Sequence, residues 1–488
     1  MTAVSERGRL DLAWEWSGYW WLPTEPERKV PGTLRYEPAE GLQLSLIGGF
    51  EERVLQTLGD GVVSVMEGRR SWSVICGVAE TREITLLDCI PTSSRSYGFG
   101  FDGPDKQTIH ATIALAGTHL EDIDQEVFAV SLVSVENLNT WAGSSVFTST
   151  LGLKDERADG RGSISVEPVD GPSVVMDDMA VRLSHVHTLP HFDQRRGRSI
   201  GRMTDSVLVR FESTKSFSLN AALDHAKAIQ DLVSLATHRA SAILLLQLRM
   251  PAKRRDSPPG YPARARDIEV YFHGAVRGDG DAKAAGHYAT LFTCADIPFE
   301  DIMPRWWQVR QSLLAASNMI LGLRYAPARY VHGNLLAAVG AAEVLHRGLK
   351  ISQPYMLKAD FDALRARLLE QTPEEHHAWV RSKIRNDPTL KERLKALVAL
   401  PDREAMKRLV PDVEQWAKVA TRARNDLAHT GQTEQTMDEL AAVVNVTSAV
   451  VVMNLLQALG IPGERQRKVI NDHPELRHTA RQAEEHLT

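Results

Sequence analysis

Cysteine is scarce in this chain. Cys76, Cys89 and Cys294 are scattered through 488 residues. An odd and dispersed set offers neither a disulfide framework nor the clustered thiolates of a zinc site, and it fits a reducing compartment. Neither sign of charge is in excess, because 57 Lys and Arg face 62 Asp and Glu for a net charge of −5. No protein-wide positive field exists to hold nucleic acid, so any such contact must come from a local patch. The N-terminal segment MTAVSERGRLDLAWEWSGYW places charges where a signal peptide needs an uninterrupted apolar run, and a cytoplasmic protein is the expectation. Leu440 to Leu459 approaches membrane-spanning length but contains Asn445, Thr447, Ser448, Asn454 and Gln457. It reads as a buried core helix, and no membrane is expected as a partner. A Walker-type loop, a dinucleotide fingerprint and a Ser-His-Asp spacing are also absent, which leaves nucleotide and ester hydrolysis without residues. What remains is the 43 % hydrophobic, 24 % charged composition of an ordinary soluble globular chain, long enough for two or three domains.

Up to about residue 300, Gly, Pro and Ser separate short stretches rich in Val, Ile, Thr and aromatics: Leu42–Ile47, Ser71–Gly77, Glu83–Asp88, Val127–Val133 and Ser206–Phe211. This spacing predicts a β-rich region over 1–300. Ser218 to Leu248 is the exception, reading as one or two helices by its Ala and Leu content and lack of Pro. Phe192–Arg202 and Pro251–Arg266 are basic and rich in turn formers, and both read as loops, the first a break between two subdomains. From Asp301 the texture becomes helical. Thr372-Pro373-Glu374-Glu375 and Thr436-Met437-Asp438-Glu439 have the pattern of capping boxes, and the second opens a helix that stops near Gly460 and Pro462. The fold class expected is therefore α+β multidomain: a β-rich N-terminal region, an all-α bundle of about five helices over 301–470, and a polar tail over 471–488.

The helix that begins near Pro411 places Val413, Ala417, Ala420 and Leu427 at spacings of three and four, hence on one core-directed face. Arg424 falls on that face. A guanidinium there stays charged and needs a partner, so packing alone does not account for it. Asn425 and His429, four residues apart, project together from another face, and Gly431 follows as a helix stop. Without further context, the same residues read as a paired core Arg and a helix-end His favoured by the macrodipole.

The run Arg424-Asn425-Asp426-Leu427-Ala428-His429 resembles the R-x4-6-H signature of HEPN-domain ribonucleases, in a similar setting near the end of one helix with a long apolar helix to follow. At the other end, Trp16-Ser17-Gly18-Tyr19-Trp20-Trp21-Leu22-Pro23, Pro31-Gly32-Thr33-Leu34 and Glu83-Ile84-Thr85-Leu86-Leu87-Asp88-Cys89 resemble the N-terminal domain of the ApeA family of bacterial anti-phage defence proteins, which join it to a C-terminal HEPN ribonuclease. The resemblance implies a HEPN nuclease at 301–470 and a sensor or regulator at 1–300. It also implies a homodimer with a composite active site, an activator of phage origin and an RNA substrate, with tRNA among the candidates. Glu343 resembles the acidic residue of the first HEPN helix and is the supporting candidate for Arg424. Its bland alternative is a pair with Arg347 four residues on.

RNA carries its own nucleophile, the 2′-hydroxyl. A nuclease must move two protons and stabilise charge on phosphorus, tasks that suit the imidazole of His429 and the planar fork of Arg424. Asn425 could orient either the imidazole or the phosphate. No cofactor or metal is implied, and the products expected are 2′,3′-cyclic phosphate and 5′-hydroxyl ends. His185, His187 and His191 could be read as metal ligands, but no Cys or carboxylate spacing completes a site. The arginines at 195, 196, 198 and 202 and the basic cluster from Lys253 to Arg266 read as solvated charges. The rival from another class is a non-catalytic HEPN binding or dimerisation protein that senses phage components or nucleic acid.

Overall fold

The five stretches expected as strands lie, with Ser71 and Val127 one residue early, within the strands Gly41–Ile47, Trp72–Ala79, Arg82–Arg95, Phe128–Val135 and Asp205–Phe217 of the computed structural model. It describes residues 7–50, 54–58, 62–66, 71–95, 104–154, 156–251, 265–351 and 354–488. Its contacts divide the chain into two units, Met1–Ser234 with Ser241–Ala284, and Leu235–Ala240 with Ala285–Thr488.

In the first unit the period of two is plain in Val30–Glu37, where Val30, Gly32, Leu34 and Tyr36 are buried and their neighbours are not. Gly41–Ile47, Val30–Glu37, Trp14–Trp21, Trp72–Ala79 and Arg82–Arg95 are successive antiparallel neighbours. Lys106–Ala116 pairs with both the first and the last of them, so six strands close into a barrel without a free edge. Trp20, Leu34, Tyr36, Leu44, Leu86 and Ile109 belong to its core. Trp20 donates through Nε1 to Gly32 O at 3.1 Å, and its ring covers Gly77, where a Cβ would come within 2.3 Å of the ring. Lys106–Ala116 also pairs with Asp267–Phe272, and the sheet continues through Ile243–Arg249, Phe128–Val135, Asp205–Phe217, Met179–His187 and Ser173–Met176. This unit also contains α1 (Leu138–Ala142) and most of α2 (Leu219–Thr237).

Two expectations for this unit need correction. Ser218–Leu248 holds only one helix, because Ile243–Arg249 is a strand with hydrogen-bonded neighbours on both sides. A short apolar run serves a buried strand as readily as a helix, and the pairing decides. Phe192–Arg202 is a hairpin of His191–Arg195 and Arg198–Arg202 rather than a loop, and the first unit runs through it without a break. Of Pro251–Arg266, residues 252–264 lie outside the described residues.

The second unit is helical, and its long segment runs from Ala285 to Thr488 beside the short Leu235–Ala240 segment. Ten α-helices occur among its described residues, not about five: α3 (Phe299–Tyr325), α4 (Val331–Gly348), α5 (Lys358–Glu370), α6 (His377–Lys383), α7 (Leu390–Val398), α8 (Arg403–Leu409), α9 (Val413–Thr430), α10 (Met437–Ala458), α11 (Gly463–Asp472) and α12 (Pro474–His486). The central α10 packs against α3, α4, α7, α8, α9 and α12. It is the one helix among the described residues long and apolar enough to cross a membrane, and 72 % of its apolar window is buried inside the fold. Three of the polar residues that break its apolar run, Asn445, Asn454 and Gln457, have protein partners, while the buried Thr447 hydroxyl has no hydrogen-bond partner among the described residues. Asn454 donates to Leu397 O at 2.9 Å, and Asn445 to Gln482 Oε1 at 2.8 Å.

The Thr436–Glu439 capping box forms, with both reciprocal hydrogen bonds present. The one expected at Thr372 does not, because the Thr372 hydroxyl donates back to Leu368 O at 2.6 Å and a 3-10 turn precedes α6. Residues 471–488 are no tail. Pro474 opens α12, and Leu476, Ala480 and Ala483 bury one face at spacings of four and three, against α10 and α11.

Candidate active site

Helix α9 carries the motif. Its first turn is capped by Asp412, whose carboxylate accepts from Gln415 N at 2.8 Å. It ends at Gly431 with φ of +71°, a left-handed position that favours glycine, and the Gly431 N–H returns to Leu427 O at 3.1 Å. The stop places His429 in the last helical turn, where its ring is exposed and makes no hydrogen bond among the described residues.

The buried face of α9 is Trp416, Ala417, Ala420, Ala423 and Leu427. Arg424 therefore stands at the rim of the packed face, not within it, and its side chain is 36 % exposed. The buried face keeps Ala417, Ala420 and Leu427 of the expected stripe and adds Trp416 and Ala423, while Val413 is only partly buried. Arg424 donates to Asn425 Oδ1 at 3.2 Å and reaches Glu343 Oε2 of α4 at 3.7 Å. Arg347 also donates to Glu343 Oε1 at 2.8 Å, so the carboxylate lies near both arginines.

Five residues separate Arg424 from His429. At 3.6 residues per turn their side chains leave the helix about 140° apart and about 7.5 Å apart along the axis, whereas Asn425 and His429 are only about 40° apart. One helix therefore presents a guanidinium on one side and an amide with an imidazole on another, so Arg424 and His429 do not converge on one point of its surface.

Two neighbours had no sequence signal. Arg393 of α7, fifty residues from Glu343 in the chain, reaches the same carboxylate at 3.4 Å. His346, one turn beyond Glu343 on α4, is buried, and burial, followed by the nearby Arg393 and Arg347 charges, lowers its pKa. Only the packing of α4 against α7 and α9 reveals either. Two ion pairs tie α7 to α9, from Lys391 and Lys395 to Glu414, the latter at 2.7 Å. Hydrogen bonds from these two lysines hold the Glu414 carboxyl well below its usual range, at about 2.

His185 is buried and fully engaged, through Nδ1 with Asp205 Oδ1 and Nε2 with Ser144 Oγ, each at 3.0 Å. A cavity of about 470 Å³, lined by His238, Arg324, Asn334, Ser448 and Glu475 among others, includes none of the motif residues.

Two family models match the chain: ApeA N-terminal domain 1 over residues 15–306 and Apea-like HEPN over residues 336–465. The second span contains Glu343, Arg393, Arg424, Asn425 and His429. No curated protein and no solved structure matches.

Proposed function

Because the chain belongs to the ApeA family and carries its HEPN domain, a ribonuclease-type protein of anti-phage defence, we propose that it cuts RNA through Arg424, Asn425 and His429. The observation that carries the reading is the intact triplet on the last turns of a helix in the HEPN-matched span, with its arginine 3.7 Å from the Glu343 carboxylate. His429 serves the proton transfers, Arg424 holds the phosphate as its charge grows, and Asn425 orients one or the other. The 2′-hydroxyl is the nucleophile, so the reaction yields 2′,3′-cyclic phosphate and 5′-hydroxyl ends without a metal, on RNA of which tRNA is one candidate. The angular separation on α9 favours a composite site, in which a second copy brings its own motif helix across a two-fold axis. A phage-derived activator, acting through the first unit in the cytoplasm, completes the proposal.

The test is purified full-length chain on total cellular RNA, with end-group mapping, in EDTA and with Mg²⁺. Cyclic phosphate ends formed in EDTA support the reading, and an absolute need for Mg²⁺ overturns the metal-independent mechanism. A chain that binds RNA and self-associates, yet produces no new ends with any phage lysate added, is a binding protein instead.

A further inference from the structure

Three guanidiniums converge on one carboxylate. Arg347 at 2.8 Å and Arg393 at 3.4 Å share Glu343 Oε1, while Arg424 stands 3.7 Å from Oε2. One negative charge cannot neutralise three positive ones, so the cluster keeps two positive charges for an anion. The three are not held alike. The Arg347 side chain is 62 % exposed, Arg424 36 % and Arg393 only 11 %. Arg393 is also anchored by its Nε, which donates to Pro388 O at 3.0 Å. It stands in the first turns of α7, which the Thr389–Glu392 capping box fixes. The fixed arginine thus grips one oxygen of Glu343, and the motif arginine faces the other at more than hydrogen-bond distance.

We propose that Arg393 is a positioning residue for Arg424. By holding Glu343 through Oε1, it prevents the carboxylate from closing on Arg424 as a two-point fork pair, the strongest arrangement these groups can adopt. Arg424 is thereby aligned by Glu343 without being quenched, and its N–H groups remain available to a phosphate oxygen. Without Arg393, Oε1 keeps only the solvated Arg347, and Glu343 turns both oxygens to Arg424. The inference deepens the functional reading above and rests on it for the identity of the anion, an RNA phosphodiester.

The test is a double-mutant cycle in the full-length chain, read by cleavage and, separately, by calorimetric binding of inorganic phosphate. Arg393→Gln should lower kcat at least about tenfold with KM changed less than about threefold, and weaken phosphate binding about tenfold. Adding Glu343→Gln removes the quenching group, so the double variant should recover to within about threefold of Glu343→Gln alone. Arg393→Lys, which keeps the charge on Oε1, should stay within about threefold of wild type and shows that the site folds. A double variant no better than Arg393→Gln, or Arg393→Lys as defective as Arg393→Gln, overturns the inference and leaves the ribonuclease reading intact. A wild-type chain that cuts no RNA but shows the phosphate pattern overturns the ribonuclease reading and leaves the inference standing. Absence of phosphate binding to wild type overturns the inference.

Discussion

At the scale of single residues, exposure separates chemistry from stability. His429 is exposed at the end of α9 and holds nothing in place. His429→Ala should therefore reduce RNA cleavage by at least about 100-fold, while urea unfolding shifts by less than about 0.5 kcal/mol. Cleavage at the wild-type rate by the folded variant would remove His429 from the mechanism. Arg424→Ala should abolish cleavage as well, at a stability cost below about 1 kcal/mol, because its half-exposed pair with Glu343 is screened by water. Gly77 is the opposite case, a position with no conceivable chemistry and no room. Gly77→Ala should cost on the order of 1–3 kcal/mol through overpacking against the Trp20 ring, measured by the same unfolding. A neutral result would mean that the barrel wall yields at that point.

At the scale of elements, the two capping-box patterns provide an internal control. Thr436 accepts from Glu439 N at 3.2 Å, and Glu439 Oε2 accepts from Thr436 N at 2.8 Å. Thr436→Ala should cost about 1 kcal/mol by denaturant unfolding. Thr372 has the same sequence context but caps nothing, since its hydroxyl donates to Leu368 O, and Thr372→Ala should stay within about 0.5 kcal/mol. Equal costs at the two positions would deny that the box at Thr436 contributes. The same pair shows why pattern alone misreads a helix start. Thr-Pro-Glu-Glu satisfies every local preference, yet Thr372 already closes the turn after α5 with its own hydroxyl. The tail expectation failed for the converse reason. The α12 pattern of Leu476, Ala480 and Ala483 is sparse among charges, and its value depends on the surface that α10 and α11 present.

At the scale of the whole molecule, pH and concentration are the controlling variables. Burial, and then the Arg324 charge, pushes the His238 pKa down to about 4, and burial also lowers His473 and His346. Between about pH 6.5 and 4 the unfolded chain binds more protons than the folded one, so stability is present above the unfolded histidine pKa and is lost as pH falls. The slope contributed by His238 should approach about 1.4 kcal/mol per pH unit in that window. His238 has φ of +53°, a conformation asparagine tolerates, so His238→Asn should flatten the slope. A thermal midpoint independent of pH over that window would contradict the assignment. Concentration tests the composite site, since cleavage per chain should fall with the dimer population on dilution. Sedimentation beside cleavage over one dilution series checks this, and a fully active monomer excludes the two-chain site.

The sequence by itself determined the order of the two regions, the local periodicities and the ends of α9 and α10, because these rest on neighbours a few residues apart: alternation in the strands, caps at Asp412 and Thr436, and the stop at Gly431. It also placed Arg424, Asn425 and His429 on one helix near its end, which a spacing of one and five residues suffices to do. Tertiary structure alone decided the rest. Ile243–Arg249 became a strand because hydrogen-bonding partners lay on both sides, and the barrel closed because Lys106–Ala116 found two neighbours far apart in the chain. Arg424 stands at the rim of a packed face made of Trp416, Ala417, Ala420, Ala423 and Leu427, and Arg393 joined Glu343 because α7 and α4 meet there. Each of these depends on contacts between residues distant in the chain, whose energy no local pattern encodes.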